Sequence, residues 1–110
     1  MIDIKEPDWK LFRILHGVAL ERYCERVIEE VKSVADESSD SYHDTYLGIF
    51  LLLRERDKTL AGIFDDPRPS NALVLLASII EEDLLNEEEI SQFGPEALEA
   101  VESIMRIRRR

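Results

Sequence analysis

His43 and Asp44 stand side by side, with His16 upstream and Asp65 and Asp83 downstream. Imidazoles and carboxylates in that order on helices can converge on a divalent cation, which turns a bound water into a nucleophile near neutral pH. A second set of carboxylates, Glu21, Glu25 and Glu29, repeats every four residues and so shares one helix face, an arrangement that suits Mg or Mn. Nucleophile chemistry has less to work with. Ser38, Ser39 and Ser70 stand in turn-like segments where capping accounts for them, and Cys24 falls on the apolar side of its helix. Gly17, Gly48, Gly62 and Gly94 are isolated from one another and form no phosphate-cradling loop.

The order His16, His43-Asp44 and a later Asp resembles that of the metal ligands in HD-domain phosphohydrolases, over three or four residues. The resemblance implies a metal-dependent phosphohydrolase with His43 and Asp44 as ligands. Spacing argues otherwise. If the first two helices fold back about a turn at residues 36–41, His43 lies near Ala35, and His16 is nearly 30 Å further along at ~1.5 Å per residue. The Glu21, Glu25, Glu29 face is interleaved with Arg22, Arg26 and Lys32, and no Glu-x-x-His pair accompanies it, as di-iron bundles require. A solvated helix surface is expected there. The residues themselves therefore predict no catalytic group, no metal and no cofactor.

The elements that would position these groups are helices. After Asp8, the residues Phe12, Leu15, Ala19, Tyr23, Val27, Val31 and Val34 recur at intervals of three and four. Gly17 weakens that helix by ~1 kcal/mol relative to alanine, and a close approach of another backbone is the expected reason. Residues 36–41 form a polar break, and Asp40 or Ser41 can cap a second helix. Its stripe is Tyr42, Tyr46, Ile49, Phe50, Leu53, Leu60 and Phe64, and Pro67 and Pro69 prevent its continuation. Ser70 or Asn71 then caps a third helix whose residues 72–80 are apolar on every side, so it must be covered all round. Asn86 followed by Glu89 predicts a capping box on a short helix, and Gly94-Pro95 opens a last one with Ala97, Leu98, Val101, Ile104 and Met105 on one side. No strand-like alternation occurs. The expected fold is all-α: one domain over residues 1–110, a compact antiparallel bundle of four to five helices with the helix from Asn71 to Leu85 at its centre.

Charge is partitioned along the chain. Residues 70–105 hold nine Asp and Glu and not one Lys or Arg, and so carry most of the net charge of −10. Such a surface repels nucleic-acid phosphate and attracts basic proteins. Glu87, Glu88 and Glu89 start a helix, and the arginines from Arg106 to Arg110 end one, so both clusters complement helix dipoles. Glu81, Glu82 and Asp83 oppose theirs, at roughly 0.3–1 kcal/mol each when exposed. An offset is expected from Arg54, Arg56 and Lys58 on an antiparallel second helix, or from an external basic partner.

A lone Cys24 fits a reducing, cytoplasmic setting, and the charged, proline-broken start lacks the pattern of a signal peptide. Apolar runs at residues 46–53 and 72–80 fall well short of the ~20 residues that cross a bilayer. The functional expectation is a non-enzymatic protein-interaction module, a regulator, adaptor or neutraliser of a basic partner. Glu81, Glu82, Asp83, Glu87, Glu88 and Glu89 are its expected contact residues. The alternatives are the HD-type phosphohydrolase and an acidic mimic of nucleic acid. Five apolar helix faces in so short a chain leave room for an uncovered stripe, which a two-fold homodimer would close.

Overall fold

Proline in a first helical turn is tolerated because its missing N–H would be unpaired there anyway, and the chain uses this twice. Helix α1 spans Glu6–Asp36 with Pro7 in its first turn, and α5 spans Pro95–Arg108 with Gly94 at the N-cap. Between them lie α2 (Tyr42–Phe64), α3 (Ala72–Glu81) and the single turn α4 (Glu87–Ile90). The computed structural model describes residues 3–37 and 41–110, and among these every regular element is a helix.

Local chemistry explains most of the boundaries. Ser41 Oγ accepts the Asp44 backbone N–H and caps α2; Asp40, the other candidate cap, lies outside the described residues, as do Ser38 and Ser39. Asn86 and Glu89 form the expected reciprocal capping box at 2.8 and 2.9 Å. Asn71 occupies the N-cap of α3 but makes no capping hydrogen bond. Its Oδ1 instead accepts the Arg68 N–H, and its Nδ2 donates to the Asp66 carbonyl, which ties together the turn around Pro67 and Pro69. Asp66 in that turn adopts a positive φ of 51°, a region that Asp tolerates better than most residues. Helix α3 stops at Glu81, earlier than Leu85, because Asp83 turns left-handed at φ 58° and Leu84 and Leu85 re-enter the core from the following loop.

The core is one cluster running from Ile4 and Phe12 through Tyr23, Ile63 and Phe64 to Leu76, Ile79, Phe93 and Val101. Six of the ten residues of α3 are buried, so the fully apolar segment is enclosed as its composition demands. It packs between α1 and α5 and touches α2 less. The close approach expected at Gly17 does not occur: a methyl group there would meet nothing within 4 Å, and the same holds at Gly62. Gly48 and Gly94 are the closely packed glycines, with Val34 Cγ1 3.5 Å and Asp8 Oδ2 3.2 Å from where their Cβ atoms would lie.

The second helix departs most from expectation. Its stripe is the uncovered one for which five apolar faces leave room: its only buried residues are Ile63 and Phe64 in the last turn. Likewise no residue of α1 beyond Val27 is buried. The reason is length. Helix α1 is ~46 Å long at 1.5 Å per residue, while α3, α4 and α5 cover only the portion up to about Arg26, where Glu82 and Asp83 meet it. The far parts of α1 and α2 therefore project as a two-helix arm from a five-helix head, in a molecule 53 Å long and 27 by 23 Å across.

Candidate functional site

The acidic segment is held mainly by internal partners. Arg22 makes a bidentate pair with Glu89 at 2.7 and 2.9 Å and also donates to the Leu84 carbonyl. Arg108 from the end of α5 reaches back to Glu81 and Ser78 Oγ, and Arg26 donates to the Asp83 carbonyl while standing 3.9 Å from Glu82. Two of the three acids that oppose the α3 dipole, Glu81 and Glu82, thus do receive compensating cations, but not from α2. Arg56 is committed to Glu30 at 2.9 Å, and Arg54 and Lys58 form no ion pair among the described residues. The correction has a simple cause: α3 lies against α1 and α5, so the nearest guanidiniums come from those helices. Asp83, Glu87 and Glu88 remain exposed with no ion pair among the described residues, leaving three of the six expected contact carboxylates free.

Two carboxyls are held below their ordinary range. Glu89 is lowered by its hydrogen bonds from Arg22 and then by the Asn86 backbone N–H, and Glu30 by those from Arg56. A carboxyl with a depressed folded-state pKa contributes stability above its unfolded value, near ~4.3 for Glu, and loses it as pH falls through the folded value. Acidification from pH 5 towards pH 3 is therefore expected to lower the thermal midpoint of the native chain by more than that of Glu89→Gln, which has no proton to take up at this position. Thermal melts of the two proteins across that range measure the difference; parallel curves would contradict it.

The candidate metal ligands do not meet. His16 sits between Phe12 and Phe64, at ring separations of 5.2 and 5.1 Å, with Nε2 3.2 Å from the Ile63 carbonyl to which that tautomer donates. His43 and Asp44 lie exposed in the first turn of α2, at the far end of the arm, roughly 30 Å along the helix from Ile63 by helical rise. Among the described residues, no three His, Cys, Asp or Glu side chains are grouped so as to hold a cation. A polar cleft does exist beside Tyr23, between Arg26, Glu30, Arg56 and Glu82. Its cations face carboxylates that already neutralise them.

What composition alone did not reveal is the surface of the arm. Tyr42 is 96% exposed, Tyr46 66% and Phe50 51%, and Leu47, Leu51 and Leu53 are exposed beside them. Residues 45–53 contain no charged side chain at all. Beside this stripe, between α1 and α2, runs a groove of about 190 Å³ lined chiefly by Tyr23, Cys24, Val27, Ile28, Leu53 and Leu60. Burial in its wall pushes the Tyr23 phenol up, and its hydroxyl donates to the Arg56 carbonyl at 3.1 Å. The signal was present as Tyr42, Tyr46, Phe50 and Leu53, but helical periodicity says only that residues share a face, not whether anything covers it.

Among the described residues no helix is long and apolar enough to cross a membrane. Comparison of the chain with protein-family models, curated proteins and solved structures finds no match.

Proposed function

We propose that this chain is a non-enzymatic protein-interaction module whose affinity resides in the arm. The observation that carries this reading is the charge-free apolar face of α2 over residues 45–53, exposed although it is rich in aromatic and leucine side chains. Tyr42, Tyr46 and Phe50, at 96%, 66% and 51% exposed, leave roughly 400 Å² of aromatic surface uncovered at ~150–250 Å² each, and Leu47, Leu51, Leu53 and Ile28 bring the arm's face to roughly 700 Å². Apolar patches on ordinary monomers reach only about 300–600 Å², and larger ones mark interaction surfaces.

The head adds a charge bias. Asp83, Glu87 and Glu88 stay free, and the excess of acid over the rest of the chain steers encounter towards basic proteins and away from acidic ones. Apolar and electrostatic contributions respond differently to salt, since screening shortens to ~3 Å at 1 M while apolar burial persists. The test is capture of partners by the native chain and by two variants, Phe50→Glu and the triple change Asp83→Ala, Glu87→Ala, Glu88→Ala, at low and high salt. Binding that survives salt but is lost in Phe50→Glu supports the arm as the source of affinity. Binding unchanged in both variants overturns the proposal.

A further inference from the structure

We infer that the arm is completed by a second copy of this chain, packed so that the two α2 helices run antiparallel across a two-fold axis near Phe50. The inference rests on the interaction reading above and assigns the partner of the apolar arm alone, the acidic heads lying outside the contact. Four observations carry it.

Area comes first. A stable interface of standard size takes about 800 Å² from each partner, close to what the arm exposes. Joined α2 to α2, the two hairpins give the exposed side of each α2, some 160° round the helix from its α1 contact at Gly48, the second layer it lacks.

Charge fixes direction. Each head carries the acid-only stretch of residues 70–105 at one end of an elongated molecule. Parallel arms would set two such heads side by side; antiparallel arms put them at opposite ends, beyond the range over which salt leaves them interacting.

The side chains on α2 then match. With 3.6 residues per turn and the axis near Phe50, His43 of each copy faces Asp57 of the other, close to the centre line of the contact. Along one edge, Asp44 of the second copy falls between the levels of Arg54 and Lys58. None of these four charged groups beyond His43 has an ion-pair partner within its own chain among the described residues: Asp44, Arg54, Asp57 and Lys58 are all unpaired.

The opposite edge carries the groove. Tyr42 and Tyr46 project on the side of α2 that Leu53 and Leu60 share with the groove wall, and a two-fold lying between the helices keeps that side common to both copies. The second copy's Tyr42 and Tyr46 therefore arrive at the level of the groove, over Leu53, Asp57 and Leu60. Its 190 Å³ is well below the ~300–1,000 Å³ of small-molecule sites and suits an inserted side chain. Each copy thus supplies the aromatic residues that the other's groove lacks.

Standard-size interfaces hold at micromolar Kd or tighter, so sedimentation of the whole chain at on the order of 100 µM should give twice the 12.8 kDa of one copy. Phe50→Glu should weaken the dimer by on the order of 100-fold, as burying an unpaired charge at a central position does, while its circular dichroism stays native because Phe50 touches no core. Direction is read by cross-linking in a Cys24→Ser background. A mixture of His43→Cys and Asp57→Cys chains should oxidise to the mixed disulfide, with little product from either chain alone. A chain that sediments as a monomer overturns the inference, and so does a dimer unaffected by Phe50→Glu or a His43→Cys chain that cross-links to itself. A monomer whose arm instead holds a different protein would remove the second copy but leave the interaction reading standing.

Discussion

Replacing Phe12 with alanine is expected to destabilise the protein by about 3–5 kcal/mol, the range for deleting a buried aromatic ring. Phe12 has no solvent exposure; it stacks on Trp9 at 5.8 Å and lies 5.2 Å from His16, whose ring in turn contacts Phe64. The loss is not confined to one ring's burial, because the aromatic row joins the start of α1 to the end of α2. A domain of this length has only ~5–15 kcal/mol in total. Urea unfolding followed by circular dichroism should therefore show the midpoint falling by about a fifth or more, or no folded baseline at all. A shift of under about 1 kcal/mol would mean that the head is not packed around this side chain.

Tyr23 supports a second large effect that can be split into two parts. The ring is 2% exposed and packs 6.0 Å from Phe64, while the hydroxyl donates to the Arg56 carbonyl. Tyr23→Phe removes only the hydrogen bond and should cost about 0.5–1.5 kcal/mol. Tyr23→Ala removes the ring as well, opens the groove into the core and should cost ~3–5 kcal/mol, as for other aromatic truncations. Equilibrium denaturation of the two variants under one condition separates the contributions. Equal losses would place the whole effect in the hydroxyl and contradict the packing account.

Helices were legible wherever sequence neighbours decide the matter. The capping box at Asn86 and Glu89 and the proline start of α5 depend on groups within a turn of one another, the enclosure of residues 72–80 follows from their all-apolar composition, and all occur as expected. Features decided across the chain were not legible. Glu81 finds Arg108, 27 positions away, and Glu89 finds Arg22, 67 positions away, because α3 and α4 pack on α1 and α5. Periodicity could not distinguish Phe64, which is buried, from Phe50, which belongs to the same stripe but lies past the reach of the head. That distinction requires knowing where α3 ends relative to α1.

The contact between Asp8 and Gly94 has a consequence for how the chain is made. The Asp8 carboxylate accepts the Gly94 N–H at 3.0 Å, Lys5 pairs with Glu96, and Ile4 lies with Leu73 and Ala97 around one small recess. Leu73 apart, these partners are separated by more than 80 positions, so the cover over the first turns of α1 is incomplete until residues 93–101 have left the ribosome. The hairpin can form early from near neighbours, but the head closes only when translation has passed its last helix. During that interval the apolar side of α1 around Phe12 stays open to chaperones, and closure must bring together the two most distant parts of the fold.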